Sequence, residues 1–301
     1  MQSQLVKEPA DSNSLKRLPR HSIRIIPRLD IKGANLVKGI HLEGLRVLGK
    51  PEYYARKYAE QGADELMYQD VVASLYGRNS LLDIVERTAR ETSIPLTVGG
   101  GIRTLEDIRN LLCAGADKVA INTAAVARPD FVREAALAFG SSTIVVAIEA
   151  IKESDGSYLV YTDNGREHTG LDAFNWAQRV AESGAGEIIA TSVDREGTGD
   201  GYDGDLIGGI SRRVSVPVVA HGGAGKPEDA AEAVEAGADA VCIASALHYR
   251  TAESLSMSNL TQEEEGNLEF LIHGKPFAKV GRFELEDVRQ ALLGRHILCR
   301  H

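Results

Sequence analysis

Two carboxylates close apolar runs in this chain: Asp30 ends Ile26-Pro27-Arg28-Leu29-Asp30, and Glu149 ends Val146-Ala147-Ile148-Glu149. An ionisable group at the end of a buried strand costs desolvation unless it has a partner or a task. Two such groups facing each other across a ligand suit general acid/base chemistry, one giving a proton while the other takes one. The alternative is that each is neutralised by a neighbouring lysine or arginine. A second kind of chemistry comes from the Gly99-Gly100-Gly101 and His221-Gly222-Gly223-Ala224-Gly225 turns. Each follows an apolar run and opens a helical one, where glycine lets the backbone approach a ligand and helix-start N–H groups bind anions. One such turn says little, because tight strand-to-helix turns need glycine anyway. Here each is followed, one unit later, by a small polar pair, Asn122-Thr123 or Ala244-Ser245. The expectation is two phosphate sites, and so a ligand phosphorylated at both ends. His221 either touches phosphate or fills space. No His/Cys/Asp cluster has metal-ligand spacing, no Ser-His-Asp signature is present, and no metal or organic cofactor is implied.

The elements that must position these residues are written twice. Gly62-Ala63-Asp64-Glu65 matches Gly184-Ala185-Gly186-Glu187, and Gly100-Gly101 matches Gly222-Gly223. Glu106-Asp107 matches Glu228-Asp229, and Gly115-Ala116-Asp117 matches Gly237-Ala238-Asp239, all at a separation of 122 residues. That period is too long for a solenoid and reads as a duplicated half-domain. Within each half, short β-branched runs (Ile94–Val98, Val119–Ile121, Thr143–Ile148, Glu187–Ala190, Val216–Ala220, Ala240–Ile243) predict strands buried on both faces. Between them, Leu105–Ala114, Asp130–Phe139, Ala173–Ser183 and Glu228–Ala236 predict amphipathic helices. Strand alternating with helix means a parallel sheet, and four units in each half give the eight that close a (βα)8 barrel. A doubly wound open sheet is the alternative. An Asp155-Gly156 turn predicts a hairpin inserted near 151–170. The stretch near 250–283 reads as an irregular surface excursion before a final helix near Glu284–Leu293.

Composition sets outer limits. At 301 residues and 43% hydrophobic the chain can bury a core of barrel size, and its net charge of −9 argues against a nucleic-acid-binding body. No run is long enough to span a membrane, and residues 1–21 lack the apolar core of a signal peptide, reading instead as a disordered leader before a single domain over 22–301. Cys113 and Cys242 read as small buried hydrophobes, and the expected compartment is the cytoplasm.

Asp30-Ile31-Lys32, Val37-Lys38-Gly39, Val98-Gly99-Gly100-Gly101-Ile102, Gly115-Ala116-Asp117-Lys118-Val119, Ile121-Asn122-Thr123-Ala124-Ala125 and Gly222-Gly223-Ala224-Gly225-Lys226 occur in order. Over about residues 22–250 and the last helix, the chain resembles the cyclase subunit of imidazole glycerol phosphate synthase. The resemblance implies a lyase of histidine biosynthesis that receives ammonia from a glutaminase subunit. It converts a bis-phosphorylated formimino-aminoimidazole carboxamide ribonucleotide into imidazole glycerol phosphate and an aminoimidazole carboxamide ribonucleotide. Carried over by position, Asp30 and Glu149 are catalytic and Lys38 helps enclose substrate. Gly101, Asn122 and Thr123 hold one phosphate, and Gly197, Gly223, Ala224 and Ser245 hold the other. Arg24, Glu65, Lys118 and Glu187 form the charged gate through which ammonia enters, with Asp117 at the glutaminase interface.

The chain departs from the family pattern at several of these points. Glu149 and Glu196 stand where the family has aspartate, Pro27-Arg28 replaces a pair of small residues, and His221 replaces a small residue. An extra methylene moves a carboxylate by roughly 1.5 Å, and such misplacement can cost around 100-fold in rate. These changes resemble a divergent branch serving surface-polysaccharide clusters. They support an alternative role as an ammonia-conducting partner of a glutaminase and a sugar amidotransferase. An isomerase of the related phosphoribosyl family is a third reading, disfavoured by the ammonia gate.

Overall fold

Eight parallel strands close on themselves in the computed structural model, which describes residues 21–72, 81–257 and 280–300. They are β1 (Arg24–Lys32), β4 (Leu66–Asp70), β5 (Leu96–Gly99), β6 (Lys118–Ile121), β7 (Ile144–Lys152), β10 (Glu187–Ser192), β11 (Val218–His221) and β12 (Ala240–Ile243). Each pairs with the next, β12 returns to β1, and the β7–β10 pairing bridges the point where an insertion leaves the barrel. The remaining numbers belong to two antiparallel additions. β2 (Asn35–Ile40) and β3 (Glu43–Gly49) follow β1; β8 (Tyr158–Thr162) and β9 (Glu167–Asp172) follow β7.

The duplicated motifs have one physical job. In Gly-Ala-Asp the aspartate N–H donates to the strand behind it: Asp64 to Ile25 O, Asp117 to Leu96 O and Asp239 to Val218 O. Its carboxylate then accepts from the N–H of that same residue at 2.9, 2.9 and 2.8 Å. Each aspartate thereby joins the start of one strand to the start of its neighbour. The fourth copy carries Gly186 instead. Its N–H makes the equivalent bond to Ile144 O, but a Cβ there would lie 2.1 Å from Ser141 O, so no side chain fits. The repeat is therefore a repeated splice between adjacent strand starts.

Alternation along each strand divides the interior into layers. Ile26, Met67, Ala120, Val145, Ala147, Ile189, Val219, Ala240 and Cys242 fill the middle of the barrel as a separate apolar cluster. A larger core lies between the strands' outer faces and the helices, including Tyr58, Ile108, Phe131, Trp176, Leu247 and Leu285. Charged and polar groups occupy the layers above and below the middle one.

Most predicted elements fall within a few residues of those observed; the helices Asp130–Phe139 and Glu228–Ala236 and the strand Ala240–Ile243 coincide. The hairpin expected near 151–170 is present, closed by Gly156 N–H donating to Glu153 O at 2.9 Å, and β9 adds a third strand. The segment after Asp30 folds as the β2–β3 hairpin, which carries Lys38, because Asp30 to Lys32 pair with Val37 to Asn35. Two expectations change. The polar stretch expected to be irregular from residue 250 begins inside a helix, Ser245–Met257. Cys113, expected to be buried, is exposed at the end of the helix Leu105–Cys113, whereas Cys242 is buried. Residues 1–20 of the expected leader and 258–279 of the excursion lie outside the described residues. Among the described residues no helix is long and apolar enough to cross a membrane.

Candidate active site

The C-terminal ends of β5 and β6 open onto a cleft of about 270 Å³ whose lining includes Arg28, Gly101, Asn122, Thr123, Glu149 and Asn164. Across the mouth, Gly197, Gly223, Ala224 and Ser245 share a smaller pocket of about 10 Å³ with Glu196 and His221. The residues expected to hold two phosphates thus form two groups at one end of the barrel. Gly100 and Gly222 make the two turns equivalent. Their φ angles are 100° and 95°, and a Cβ would lie 2.4 Å from Asp70 O or 2.5 Å from Ser192 O. The helix starts behind these turns are not open anion sites. Asp107 accepts from Arg103 N–H at 3.0 Å and Thr104 N–H at 2.9 Å, while its counterpart Asp229 accepts from Gly225 N–H at 2.8 Å and Lys226 N–H at 3.0 Å. Anion donors must therefore come from the glycine turns and the residues after β6 and β12, not from those helix ends.

The two expected catalytic carboxylates sit in opposite environments. Asp30 accepts from Arg28 Nε at 2.8 Å and from Lys38 Nζ at 3.0 Å. Burial alone would raise its pKa, but the two cations outweigh burial and hold the carboxyl well below the usual carboxylate range. The alternative of a neutralised carboxylate thus applies to Asp30. Glu149 has no cation within salt-bridge distance among the described residues; it accepts a hydrogen bond from Gly165 N–H at 2.8 Å. Burial pushes its pKa up to about 7, against the pull of Arg28, the Gly165 N–H and Asn122. Of the pair, Glu149 is poised to exchange a proton near neutral pH and Asp30 is fixed as an anion.

Lys38 reaches this centre because β2 folds back on β1, and it bridges Asp30 to Glu196. Glu196 also holds the tip of the hairpin, accepting from Leu42 N–H at 3.1 Å through its side chain and from His41 N–H at 2.9 Å through its carbonyl. From the insertion, Asn164 Nδ2 donates to Leu42 O at 2.9 Å. Hairpin, insertion and the loop after β10 therefore meet over the mouth.

At the other end of the barrel Arg24, Glu65, Lys118 and Glu187 form a ring. Arg24 bonds to Glu65 at 2.7 Å and to Glu187, and Lys118 Nζ lies 2.9 Å from both glutamates. Burial raises the pKa of Glu187, but Arg24 and Lys118 together lower it further than burial raises it. Just inside lies a small cavity of about 10 Å³ lined by Glu65, Thr97, Glu187 and the apolar Ile26, Met67 and Cys242. Asp117, expected at the glutaminase interface, is on this same end, joined to Leu96 N–H.

Sequence reasoning missed Arg28 and Asn164 as site residues. Arg28 was legible in principle: positions 24, 26, 28 and 30 alternate inward on β1, so the residue between Ile26 and Asp30 had to point into the barrel. Asn164 and Gly165 carry no comparable signal, because only the folded insertion returns its second turn to Glu149.

A family description, "Histidine biosynthesis protein", matches residues 24–253. A relative in Legionella pneumophila, imidazole glycerol phosphate synthase subunit HisF, is 56% identical over 208 residues, spanning 69% of this chain and 98% of that protein. The protein of that name in Streptomyces griseus subsp. griseus is 47% identical over 242 residues, 80% of this chain and 96% of its own. The Streptomyces coelicolor protein is 50% identical over 228 residues, 76% and 91%. The chain belongs to the HisF family. These HisF relatives are by name subunits, so the family works in a complex. The matched span covers every barrel strand and both sides of the mouth. The polysaccharide alternative finds no support among these relatives, all of which carry the synthase name.

Proposed function

We propose that this chain is the ammonia-dependent cyclase/lyase of histidine biosynthesis, acting on the bis-phosphorylated formimino-aminoimidazole carboxamide ribonucleotide. The observation that carries the reading is a barrel with a salt-bridged ring at one end and, at the other, a carboxyl of pKa about 7 in the wall of the larger of two glycine-turn pockets. A ligand with a phosphate at each end would span the mouth, one phosphate at Gly101, Asn122 and Thr123, the other at Gly197, Gly223, Ala224 and Ser245. Its reacting centre then lies over Asp30 and Glu149.

The reaction incorporates the ammonia nitrogen, expels the aminoimidazole carboxamide ribonucleotide, releases a carbonyl oxygen as water and closes an imidazole ring, and these steps require protons to move. Glu149 is the group that takes and returns them, since a general acid/base works best with a pKa near the working pH. Asp30 supplies a fixed negative charge toward cationic intermediates and orients Lys38. Ammonia would come from a glutaminase subunit docked at the Asp117 end, pass the Arg24–Glu65–Lys118–Glu187 ring and cross the apolar layer as the neutral molecule. Turnover of the bisphosphate by the isolated chain in excess ammonium salt tests this; absence of both products would overturn it.

A further inference from the structure

Arg28 is 2% exposed, and its three nitrogens have three different fates. Nε donates to Asp30. Nη1 lies 3.3 Å from His221 Nδ1 and, as a guanidinium nitrogen, can only donate to it. Nη2 is buried with no hydrogen-bond partner. A charged donor left unpaired in the interior is costly and rare. The residue also lines the larger cleft, so the unused group belongs to the wall of the site.

The surroundings select what that donor takes. Arg28 and Lys38 are balanced by Asp30 and Glu196 (two positive and two negative charges), so the cluster is neutral before any ligand arrives. Burial, then Arg28 and Lys38, push His221 far below its ordinary pKa, so the imidazole adds no charge. Because Nδ1 accepts from Arg28, the ring proton is on Nε2, and His221 lines the second phosphate pocket. A third anion between the pockets would find no spare positive charge. A neutral carbonyl oxygen needs only a directed N–H.

We infer that Arg28 Nη2 is a substrate-binding donor between the two phosphate pockets, taking a carboxamide-type carbonyl oxygen. His221 positions Arg28 by holding Nη1. The identity of the acceptor rests on the cyclase reading; the site itself rests on the unpaired buried donor and the cleft.

The test compares equilibrium binding of aminoimidazole carboxamide ribonucleotide, which has the carbonyl, with ribose 5-phosphate, which lacks it. Wild type and Arg28→Lys would be compared in the full-length chain. Lysine keeps the charge beside Asp30 but loses the forked second amino group. The preference for the carboxamide nucleotide should narrow by tenfold or more in the variant, with ribose 5-phosphate affinity unchanged. A preference that stays within twofold, or a wild-type chain with no preference, overturns the inference. If the variant does not fold, NMR of ¹⁵N-arginine-labelled wild type decides. An Arg28 Nη resonance must move with the carboxamide nucleotide and not with ribose 5-phosphate, and no movement overturns the proposal. Turnover of the bisphosphate by wild type judges the cyclase reading separately. A chain inactive in turnover that still shows Arg28-dependent discrimination would remove that reading and leave this site.

Discussion

Replacing Glu149 with glutamine keeps the side chain's size and an oxygen to accept from Gly165 N–H, and removes only the ability to ionise. The folded protein raises this carboxyl from 4.5 to about 7. At about 1.36 kcal/mol per pKa unit, ionising it inside the fold costs roughly 3 kcal/mol. The sign follows from linkage: the folded state binds this proton more tightly than the unfolded chain does. Wild type therefore holds the contribution below pH 4.5 and loses it as pH rises through 7. The glutamine variant has nothing to lose. Urea unfolding of both proteins at pH 5 and pH 8 should show the variant gaining about 2.5 kcal/mol on wild type between those values. A difference that stays within about 0.5 kcal/mol would mean that Glu149 ionises freely, and the reasoning from its burial would be wrong.

Other perturbations have equally definite outcomes. Asp30→Asn leaves Arg28 and Lys38 buried with one counter-charge fewer; urea unfolding should show a loss of about 3 kcal/mol or more at pH 7, and turnover should vanish. Because Asp30 is held low in the fold, wild type's advantage over this variant should disappear as pH falls below the ordinary carboxylate range. Lys118→Met leaves Glu65 and Glu187 sharing Arg24 alone, and should cost about 1–2 kcal/mol of unfolding free energy at pH 7 while flattening the acid-side loss of stability. Gly222→Ala forces a Cβ to 2.5 Å from Ser192 O at a φ of 95°. It should destabilise by about 1–3 kcal/mol and weaken phosphate binding at the second pocket. Gly33→Ala, at a φ of 60° with nothing within 4 Å, is the matched control and should leave that binding unchanged.

The barrel was legible because its rules are local and repeated. Short β-branched runs mark strands, and Gly-Ala-Asp recurs because each strand start needs the same splice to its neighbour. The two glycine turns betrayed themselves by a shared offset, and their shared clash with Asp70 or Ser192 explains why glycine is kept at both positions. What stayed hidden depends on contacts distant in sequence. Asp30 and Glu149 occupy corresponding strand ends and look alike on paper. Only Lys38 and Arg28 on one side, and the Gly165 turn on the other, separate an anion from a poised acid. Cys113 fits a helical pattern, but only packing decides which face turns outward, and it turns outward.

We propose that Glu149 performs proton transfer in the wall of the larger of the two glycine-turn pockets. Cyclase turnover of the bisphosphate in excess ammonium, followed against pH for wild type and Glu149→Gln, is the decisive assay. Wild-type kcat should change along a limb near pH 7, and the variant should be slower by about 100-fold or more with that limb gone. A variant that keeps both the rate and the limb would contradict it.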